Sequence, residues 1–335
     1  MNLATSYLGL SLANPLIASS SPANAELAHL RRLEDAGIGA VVLPSLFQEQ
    51  IEAEQERLAA IIAQGQDNNP EAQGYLPPHV SAPYGVGPDG YLELIRTAKA
   101  ALGIPVIASL NGASTSGWTD YAALIEEAGA DALELNIYYV PVDITLAGST
   151  LEQRYLEVLA AVRRTVRIPV VVKLAPFFSS FGHLATQMAE AGADGLVIFN
   201  RYIQPDIDLA RLRLSRELAL SQPGEMRLPL LWTAVLAGRV NCALAASTGV
   251  ETAEQVIKYL LAGADVVMTT SALLRHGPEH VRTLLDGLGA WLAARGLEGP
   301  GQIRGSMSWN RLGEAGAYER ANYIELIEAY SLAHR

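Results

Sequence analysis

The tetrapeptide Ala-Gly-Ala-Asp occurs three times in this chain, and a run of apolar residues follows each copy. The copies lie at 128–131, 191–194 and 262–265, and a looser copy lies at 36–39. We expect a helix to end at each copy, with the glycine in the left-handed conformation past the last turn and a buried strand beginning directly after it. A chain that repeats helix, glycine and strand builds parallel βα units.

Eight short apolar runs are typical of buried strands, and helical stretches separate most of them. The runs lie at 15–18, 40–43, 105–110, 132–136, 169–174, 195–200, 242–246 and 266–269. Eight parallel strands with helices between them is the count of a (β/α)8 TIM barrel, which is an α/β fold. The sequence therefore predicts this barrel over residues 13–285, with its functional groups at the carboxyl ends of the strands.

Three segments add to the predicted barrel. Residues 3–12 alternate around Gly9, which predicts an N-terminal hairpin that covers the bottom of the barrel. Long insertions follow the second strand, at 44–103, and the sixth strand, at 201–241. Both leave from the carboxyl ends of strands, so we expect both to lie over the functional rim. The second insertion contains an alternating apolar run that predicts an additional hairpin, formed by Ile207, Leu209, Leu212 and Leu214.

The end of the chain, at 300–335, is expected to form a helical appendage to the barrel. No linker or low-complexity segment is evident, so we interpret residues 1–335 as a single domain. Half of the residues are hydrophobic and 18% are charged, a balance typical of proteins whose strands are covered on both faces.

The composition argues against several classes of partner. The net charge of −11 disfavours binding to nucleic acid or to an anionic membrane surface. The beginning of the chain lacks the basic and apolar regions of a signal peptide, and no apolar stretch approaches the ~18 residues that span a bilayer. We therefore expect a cytoplasmic protein with no membrane and no nucleic-acid partner. The single cysteine, Cys242, and the scattered histidines predict no metal site.

Polar residues follow every predicted strand, and they include a single lysine and no acid. Lys173 ends an otherwise apolar strand, where an ammonium group needs a partner or an anion. One interpretation is a cation beside a cofactor that becomes negative on reduction. A second is the Schiff-base lysine of an aldolase-like lyase. A third is a lysine that reaches solvent past the strand tip.

Two other sets of polar residues point to a ligand. Asn136 and Asn200 close apolar strands although asparagine is a weak strand former, which indicates either bonding to an amide-rich heterocycle or Asx-turns. Small hydroxyl residues and a glycine end the seventh and eighth strands, where barrels commonly bind phosphate, and the alternative is N-capping of the next helices. This second set contains Ser247, Thr248, Gly249, Thr270 and Ser271.

Six motifs, in order along residues 3–285, resemble those of the dihydroorotate dehydrogenase family. They lie at 14–20, 134–136, 172–176, 197–200, 247–252 and 261–265. The similarity is closest to the soluble class 1 type, in its dihydroorotate dehydrogenase-like branch. It implies an FMN-dependent (β/α)8 oxidoreductase acting on a CH–CH bond, which converts dihydroorotate to orotate in pyrimidine biosynthesis.

The resemblance also implies roles for individual residues. Lys173 matches the family lysine that contacts the flavin ring. Asn136 and Asn200 match asparagines near flavin and substrate, and Asn111 and Arg201 complete the set expected to bind the substrate. The residues expected to bind FMN are Ala18, Ser19, Ser45, Asn136, Lys173, Asn200, Ser247, Thr248, Gly249, Thr270 and Ser271.

The sequence departs from the family where the family carries its catalytic base. The position of the family's Cys or Ser base holds Tyr139. A tyrosine loses its proton only well above neutral pH, so it acts as a base only where cations such as Lys173 or Arg201 stabilise the anion. The alternative is that Tyr139 stacks on the flavin ring. The family's substrate-binding loop corresponds here to residues 82–85.

These departures leave the substrate open to a different small, planar, conjugated molecule. A further hypothesis is a flavin-binding partner subunit that has no catalytic activity. The sequence does not indicate the electron acceptor, and a homodimer is expected from the resemblance alone.

Overall fold

A computed structural model of the chain describes residues 2–53, 87–112, 118–137, 139–201, 205–215, 219–313, 318 and 322–333. The expected substrate-binding loop at 82–85 lies outside these residues, as does most of the first insertion. Within that insertion the described residues 48–53 are helical.

The centre of the molecule is a closed barrel of eight parallel strands, which follow one another around the ring in chain order. This arrangement confirms the predicted (β/α)8 fold. The barrel strands are β3 (Leu16–Ala18), β4 (Ala40–Phe47), β5 (Val106–Gly112), β6 (Ala132–Ile137), β7 (Val170–Leu174), β8 (Gly195–Ile198), β11 (Ala243–Ala246) and β12 (Val266–Thr269). Two short antiparallel hairpins complete the strands, β1 (Thr5–Tyr7) with β2 (Leu10–Leu12) and β9 (Ile207–Asp208) with β10 (Arg213–Leu214).

Helices alternate with the barrel strands along the chain. In chain order they are α1 (Leu27–Asp35), α2 (Pro88–Ala101), α3 (Trp118–Glu127), α4 (Gly148–Thr165), α5 (Phe181–Glu190), α6 (Arg227–Leu236), α7 (Ala253–Ala262), α8 (Ser271–His276), α9 (His280–Ala293) and α10 (Asn322–Ala333). No helix in the described part of the chain is long and apolar enough to cross a membrane.

The repeated tetrapeptide forms the predicted junction between helix and strand. Gly129, Gly192 and Gly263 have φ values of 96°, 99° and 124°, and Gly37 in the looser copy has 93°. These conformations favour glycine because a side chain at positive φ is strained. The aspartate at the end of each tetrapeptide connects neighbouring strands, because its carboxylate accepts a hydrogen bond from a backbone N–H of the preceding strand in the barrel. The three bonds join Val106 N to Asp131 Oδ2 at 2.7 Å, Val170 N to Asp194 Oδ2 at 2.8 Å and Leu244 N to Asp265 Oδ2 at 2.8 Å.

Two apolar clusters lie on opposite sides of the barrel wall, and we call them the outer cluster and the interior cluster. Alternate strand residues point to opposite faces, so one set packs outward against the helices and the other fills the barrel interior. Residues of the N-terminal hairpin, including Tyr7 and Leu8, belong to the interior cluster. A Cβ atom added to Gly195, the first residue of β8, would meet Leu8 Cδ2 at 2.8 Å. The hairpin therefore covers the amino ends of the strands, as predicted.

The segments beyond the barrel repeat also have defined positions. The hairpin predicted within the second insertion is present as β9 and β10, and its aliphatic side chains stay exposed. Near the end of the chain, backbone bonds of 2.9 Å from Gly305 to Leu260 and from Met307 to Leu261 attach residues 300–313 to α7. The interpretation of 1–335 as one domain stays a prediction.

Candidate active site

Two polar layers lie above the apolar barrel interior, at the carboxyl ends of the strands. We call this end of the barrel the mouth. Each layer is formed by residues that are paired in register on neighbouring strands. Along each strand, these inward-facing residues alternate with residues that face the outer cluster. The lower layer contains Ser45, Ser109 and Glu134, and the upper layer contains Asn111, Asn136 and Lys173.

Lys173 extends into the barrel rather than into solvent. Its side chain is 8% exposed, and Nζ lies 3.2 Å from Ser19 Oγ and 3.4 Å from Glu134 Oε1. This burial excludes the outward orientation. Nζ therefore forms a buried ion pair with the Glu134 carboxylate.

The carboxylate of Glu134 also lies at this end of the barrel, although the residues at the strand ends predict no acid there. Glu134 is fully buried, and its Oε1 also accepts a bond of 3.4 Å from Ser109 Oγ. Its Oε2 has no hydrogen-bond partner among the described residues. The strand period contained a usable signal, because Ala132, Glu134 and Asn136 alternate and must therefore share the inward face.

A cavity of about 210 Å³ opens beside Lys173 at the ends of β11 and β12. Most of the residues predicted to bind the cofactor or substrate contribute to its wall. These are Ser19, Lys173, Asn200, Arg201, Ser247, Thr248, Gly249, Thr270 and Ser271. Hydroxyl groups and backbone dominate the part of the wall that β11 and β12 form, which is the chemistry that a phosphate requires.

Gly249 permits a close approach of two backbone segments in this wall. Its φ is +72°, and an added Cβ would lie 2.9 Å from Gln222 O and 2.9 Å from Met226 N. Thr248 beside it also has a positive φ, of 80°. No side chain fits at position 249 beside the backbone of residues 222 and 226, and residues 247–249 line the cavity.

Ser221 is a second wall residue that the sequence analysis did not identify. Its hydroxyl donates to Ser271 Oγ at 2.9 Å and accepts the N–H of Gly249 at 3.3 Å. The Arg275 guanidinium donates to its carbonyl oxygen at 2.7 Å. Ser221 lies in the long insertion after β8, where no strand or helix period indicates which side chains face the mouth.

Asn136 and Asn200 are brought together at the mouth. Asn200 Nδ2 donates to Asn136 Oδ1 at 2.8 Å, so an asparagine of β6 and one just after β8 form one amide pair. Arg201 also lines the cavity, and its guanidinium bonds Glu225 at 2.8 Å and the Ala219 carbonyl oxygen. Burial opposes the charge of Glu225, but the hydrogen bond from Arg201 holds the pKa of this carboxyl below its usual value.

Other predicted residues lie away from the cavity wall. Ala18 packs in the outer cluster, Ser45 bonds Ser109 Oγ at 2.8 Å in the lower layer, and Asn111 is half-buried in register with Asn136. Tyr139 packs against the outer cluster, with the Arg154 guanidinium 5.6 Å from its ring centroid.

Comparison with known proteins shows which family the chain belongs to. The family model described as "Dihydroorotate dehydrogenase" matches residues 85–292, which is more than half of the chain. The chain belongs to the dihydroorotate dehydrogenase family. The family is one of flavoprotein oxidoreductases, so membership assigns the chain to the dehydrogenases that act on CH–CH bonds.

Three relatives illustrate the similarity. A protein of Aeropyrum pernix with the provisional name dihydroorotate dehydrogenase A (fumarate) is 30% identical over 67% of this chain and 78% of its own length. Proteins of Methanothermobacter thermautotrophicus and Pyrococcus abyssi, both named dihydroorotate dehydrogenase B (NAD(+)), catalytic subunit, are 27% and 28% identical over 90% of this chain. These matches cover 97% and 98% of the two relatives. Similar relatives therefore carry names of both the A and the B type of dihydroorotate dehydrogenase.

Proposed function

We propose that this protein binds FMN at the mouth of the barrel and oxidises dihydroorotate, or a planar molecule of similar chemistry, at a CH–CH bond. The observation that carries the proposal is the buried ammonium of Lys173 next to a cavity walled by hydroxyl groups and by Gly249. A ligand with a phosphate at one end and a ring that accepts negative charge at the other end matches both features.

The residues present fit the two ends of FMN. The wall formed by residues 247–249 and 270–271 offers hydroxyl groups and an accessible backbone turn to a phosphate. Lys173 and the amide pair of Asn136 and Asn200 offer a cation, donors and acceptors to the ring. The cavity volume of about 210 Å³ lies below the ~300–1,000 Å³ usual for a complete ligand pocket, so it accounts for one part of FMN.

When bound, FMN supplies the two-electron chemistry of the reaction. The task of Lys173 is to hold a positive charge where negative charge develops, which is a large electrostatic contribution in a site that excludes water. The amide pair orients the ring and substrate, because one hydrogen bond between the two asparagines leaves further donor and acceptor capacity in each.

The ion pair of Lys173 also bears on the lyase hypothesis. A Schiff base requires a free, neutral amine, whereas Nζ is engaged in an ion pair at 3.4 Å from the Glu134 carboxylate and lies 3.2 Å from Ser19 Oγ. The structure therefore supports an electrostatic role for this lysine better than a nucleophilic one.

The proposal is tested by the absorbance spectrum of the purified protein before and after addition of FMN. We expect a flavin spectrum that anaerobic dihydroorotate bleaches. A protein that takes up no FMN would contradict the proposal, and a flavin spectrum that dihydroorotate leaves unchanged would reject this substrate while keeping the cofactor. A matched pair of variants locates the site, since Lys173→Met should impair bleaching and Lys99→Met, at an ion pair outside the barrel, should not.

Replacing Tyr139 by phenylalanine should change turnover by less than about threefold, because phenylalanine keeps the ring, which packs against the outer cluster and has its centroid 5.6 Å from the Arg154 guanidinium. Loss of a general base costs ~10²–10⁴-fold. Steady-state turnover of the flavin-loaded variant distinguishes the two roles, and a hundredfold loss would establish Tyr139 as the base.

The remaining expectations are also proposals. We propose that the partners of this chain are a small planar substrate and a second copy of the chain, in the cytoplasm. Size-exclusion chromatography with light scattering measures the oligomeric state, and a monomer at micromolar concentration would contradict the proposed homodimer.

A further inference from the structure

We propose that Glu134 is a positioning residue for Lys173, and that its charge sets the reduction potential of the flavin by offsetting the charge of the lysine. The inference rests on the proposed function for the identity of the ligand. It assigns a role to a residue that lies beneath the mouth and does not line the cavity.

The geometry places Glu134 so that it controls where the ammonium lies. Nζ of Lys173 is bonded from below by Glu134 Oε1 at 3.4 Å and from the side by Ser19 Oγ at 3.2 Å. The lower layer holds the carboxylate in turn, because Ser109 Oγ contacts Oε1 at 3.4 Å and Ser45 Oγ contacts Ser109 Oγ at 2.8 Å. A series of polar contacts thus runs from Ser45 on β4 through β5 and β6 and ends at Lys173 on β7.

The burial of both charges makes their mutual effect large. The side chains of Glu134 and Lys173 are 0% and 8% exposed, so little solvent screens them from each other or from a ligand in the mouth. Among the described residues, Glu134 is the carboxylate that forms an ion pair with Lys173. The net charge that the barrel presents to a flavin ring therefore depends on two residues of opposite sign.

The hydrogen-bond partners of Glu134 lie on one of its two oxygens. Lys173 Nζ and Ser109 Oγ both contact Oε1, and Oε2 is buried with no protein partner among the described residues. The nearby hydroxyl of Tyr7, in the hairpin below, is likewise buried and unbonded among these residues. Burial first and the charge of Glu134 second raise the pKa of Tyr7, so this hydroxyl stays neutral and adds no charge to the pair.

The arrangement predicts shifts of opposite sign for the two members of the pair. Glu134→Gln leaves the Lys173 cation without its counter-charge, which favours the negative reduced flavin and raises the midpoint potential. Lys173→Met leaves the carboxylate uncompensated and lowers the potential. We expect at least a tenfold change in the reduction equilibrium in each direction, which is about 30 mV for a two-electron couple.

The test is the midpoint potential of the flavin-loaded protein, measured by equilibration with reference dyes, for the wild type and the variants Glu134→Gln and Lys173→Met. Thr233→Val is the matched control, since it removes another fully buried polar group, bonded to Pro229 O outside the cavity. We expect the control to have the potential of the wild type. A purely structural role for Glu134 would leave the potential unchanged.

The outcomes separate this inference from the proposed function. An unchanged or lowered potential in flavin-loaded Glu134→Gln would overturn the inference alone, whereas a wild-type protein without FMN would overturn both. If Glu134→Gln does not fold, the double variant Glu134→Gln/Lys173→Met, which contains no unpaired charge, takes its place. Its potential should lie above that of Lys173→Met, and equal potentials would overturn the inference.

Discussion

Replacing Lys173 by methionine should lower the free energy of unfolding of the FMN-free protein by about 3–5 kcal/mol, because removal of one member of a buried ion pair leaves the other charge unpaired in the barrel. Glu134 is fully buried, and among the described residues it would keep one 3.4 Å contact, with Ser109 Oγ. Methionine matches the lysine side chain as far as Cε, so the change removes the ammonium group and keeps most of the aliphatic stem. Urea unfolding followed by circular dichroism measures the loss.

Two variants test whether the loss has this electrostatic cause. Lys99→Met breaks a 2.7 Å ion pair with Asp131 outside the barrel, where the side chains are 32% and 24% exposed, and it should cost about 1 kcal/mol or less. The double variant Lys173→Met/Glu134→Gln removes both buried charges and should recover more than half of the loss. If Lys173→Met costs no more than Lys99→Met, the two charges are not coupled in the way that we describe.

Replacing Gly249 by alanine should cost about 2–5 kcal/mol of stability, the sum of the strain of a left-handed residue and the cost of overpacking. The added Cβ would lie 2.9 Å from two backbone atoms, which side-chain rotation cannot relieve. The turn must shift, and with it the wall of the proposed phosphate site. We therefore expect FMN to bind at least 100-fold more weakly, as measured by quenching of flavin fluorescence on titration.

Gly296→Ala is the control for this substitution. Gly296 has a similar φ of +66°, but an added Cβ would meet no atom within 4 Å. This variant should lose about 1–2 kcal/mol of stability from strain and should keep its FMN affinity. Riboflavin adds a second comparison, because a flavin without phosphate should bind equally weakly to the wild type and to Gly249→Ala. FMN affinity that is unchanged in Gly249→Ala would remove residues 247–249 from the phosphate site.

The barrel could be predicted from the sequence because its signals are local. Before β4, β6, β8 and β12, a helix, a glycine and an apolar run follow one another closely in the sequence, and this repeat indicates parallel strands. The first and last residues of the strands could be predicted less well from the sequence. The register of β4 on β5 shifts between Val42 and Ser45, and β4 continues to Phe47, beyond the apolar run. Such an irregularity depends on the neighbouring strand.

The site could be predicted where it follows from strand ends, and not where it depends on contacts between distant segments. Lys173 and the residues of β11 and β12 follow directly from their strand positions. Glu134 lies two residues before Asn136, within β6. Its position in the site depends on the strand register, which places it beside Ser109 and close to Lys173. Ser221 reaches the cavity from an insertion whose path no periodicity describes. The role expected for Tyr139 comes from a family position and not from a strand pattern, and its ring packs against the outer cluster.

The central claim is that the mouth holds FMN with its phosphate at the ends of β11 and β12 and its ring beside Lys173. A crystal structure of the protein grown with FMN tests this claim most directly. We expect electron density for a phosphate within hydrogen-bond distance of the backbone at Gly249 and of residues 270–271, and density for the ring in contact with Lys173 Nζ. Flavin density elsewhere on the molecule, or a mouth filled by the protein's own side chains under saturating FMN, would contradict the account.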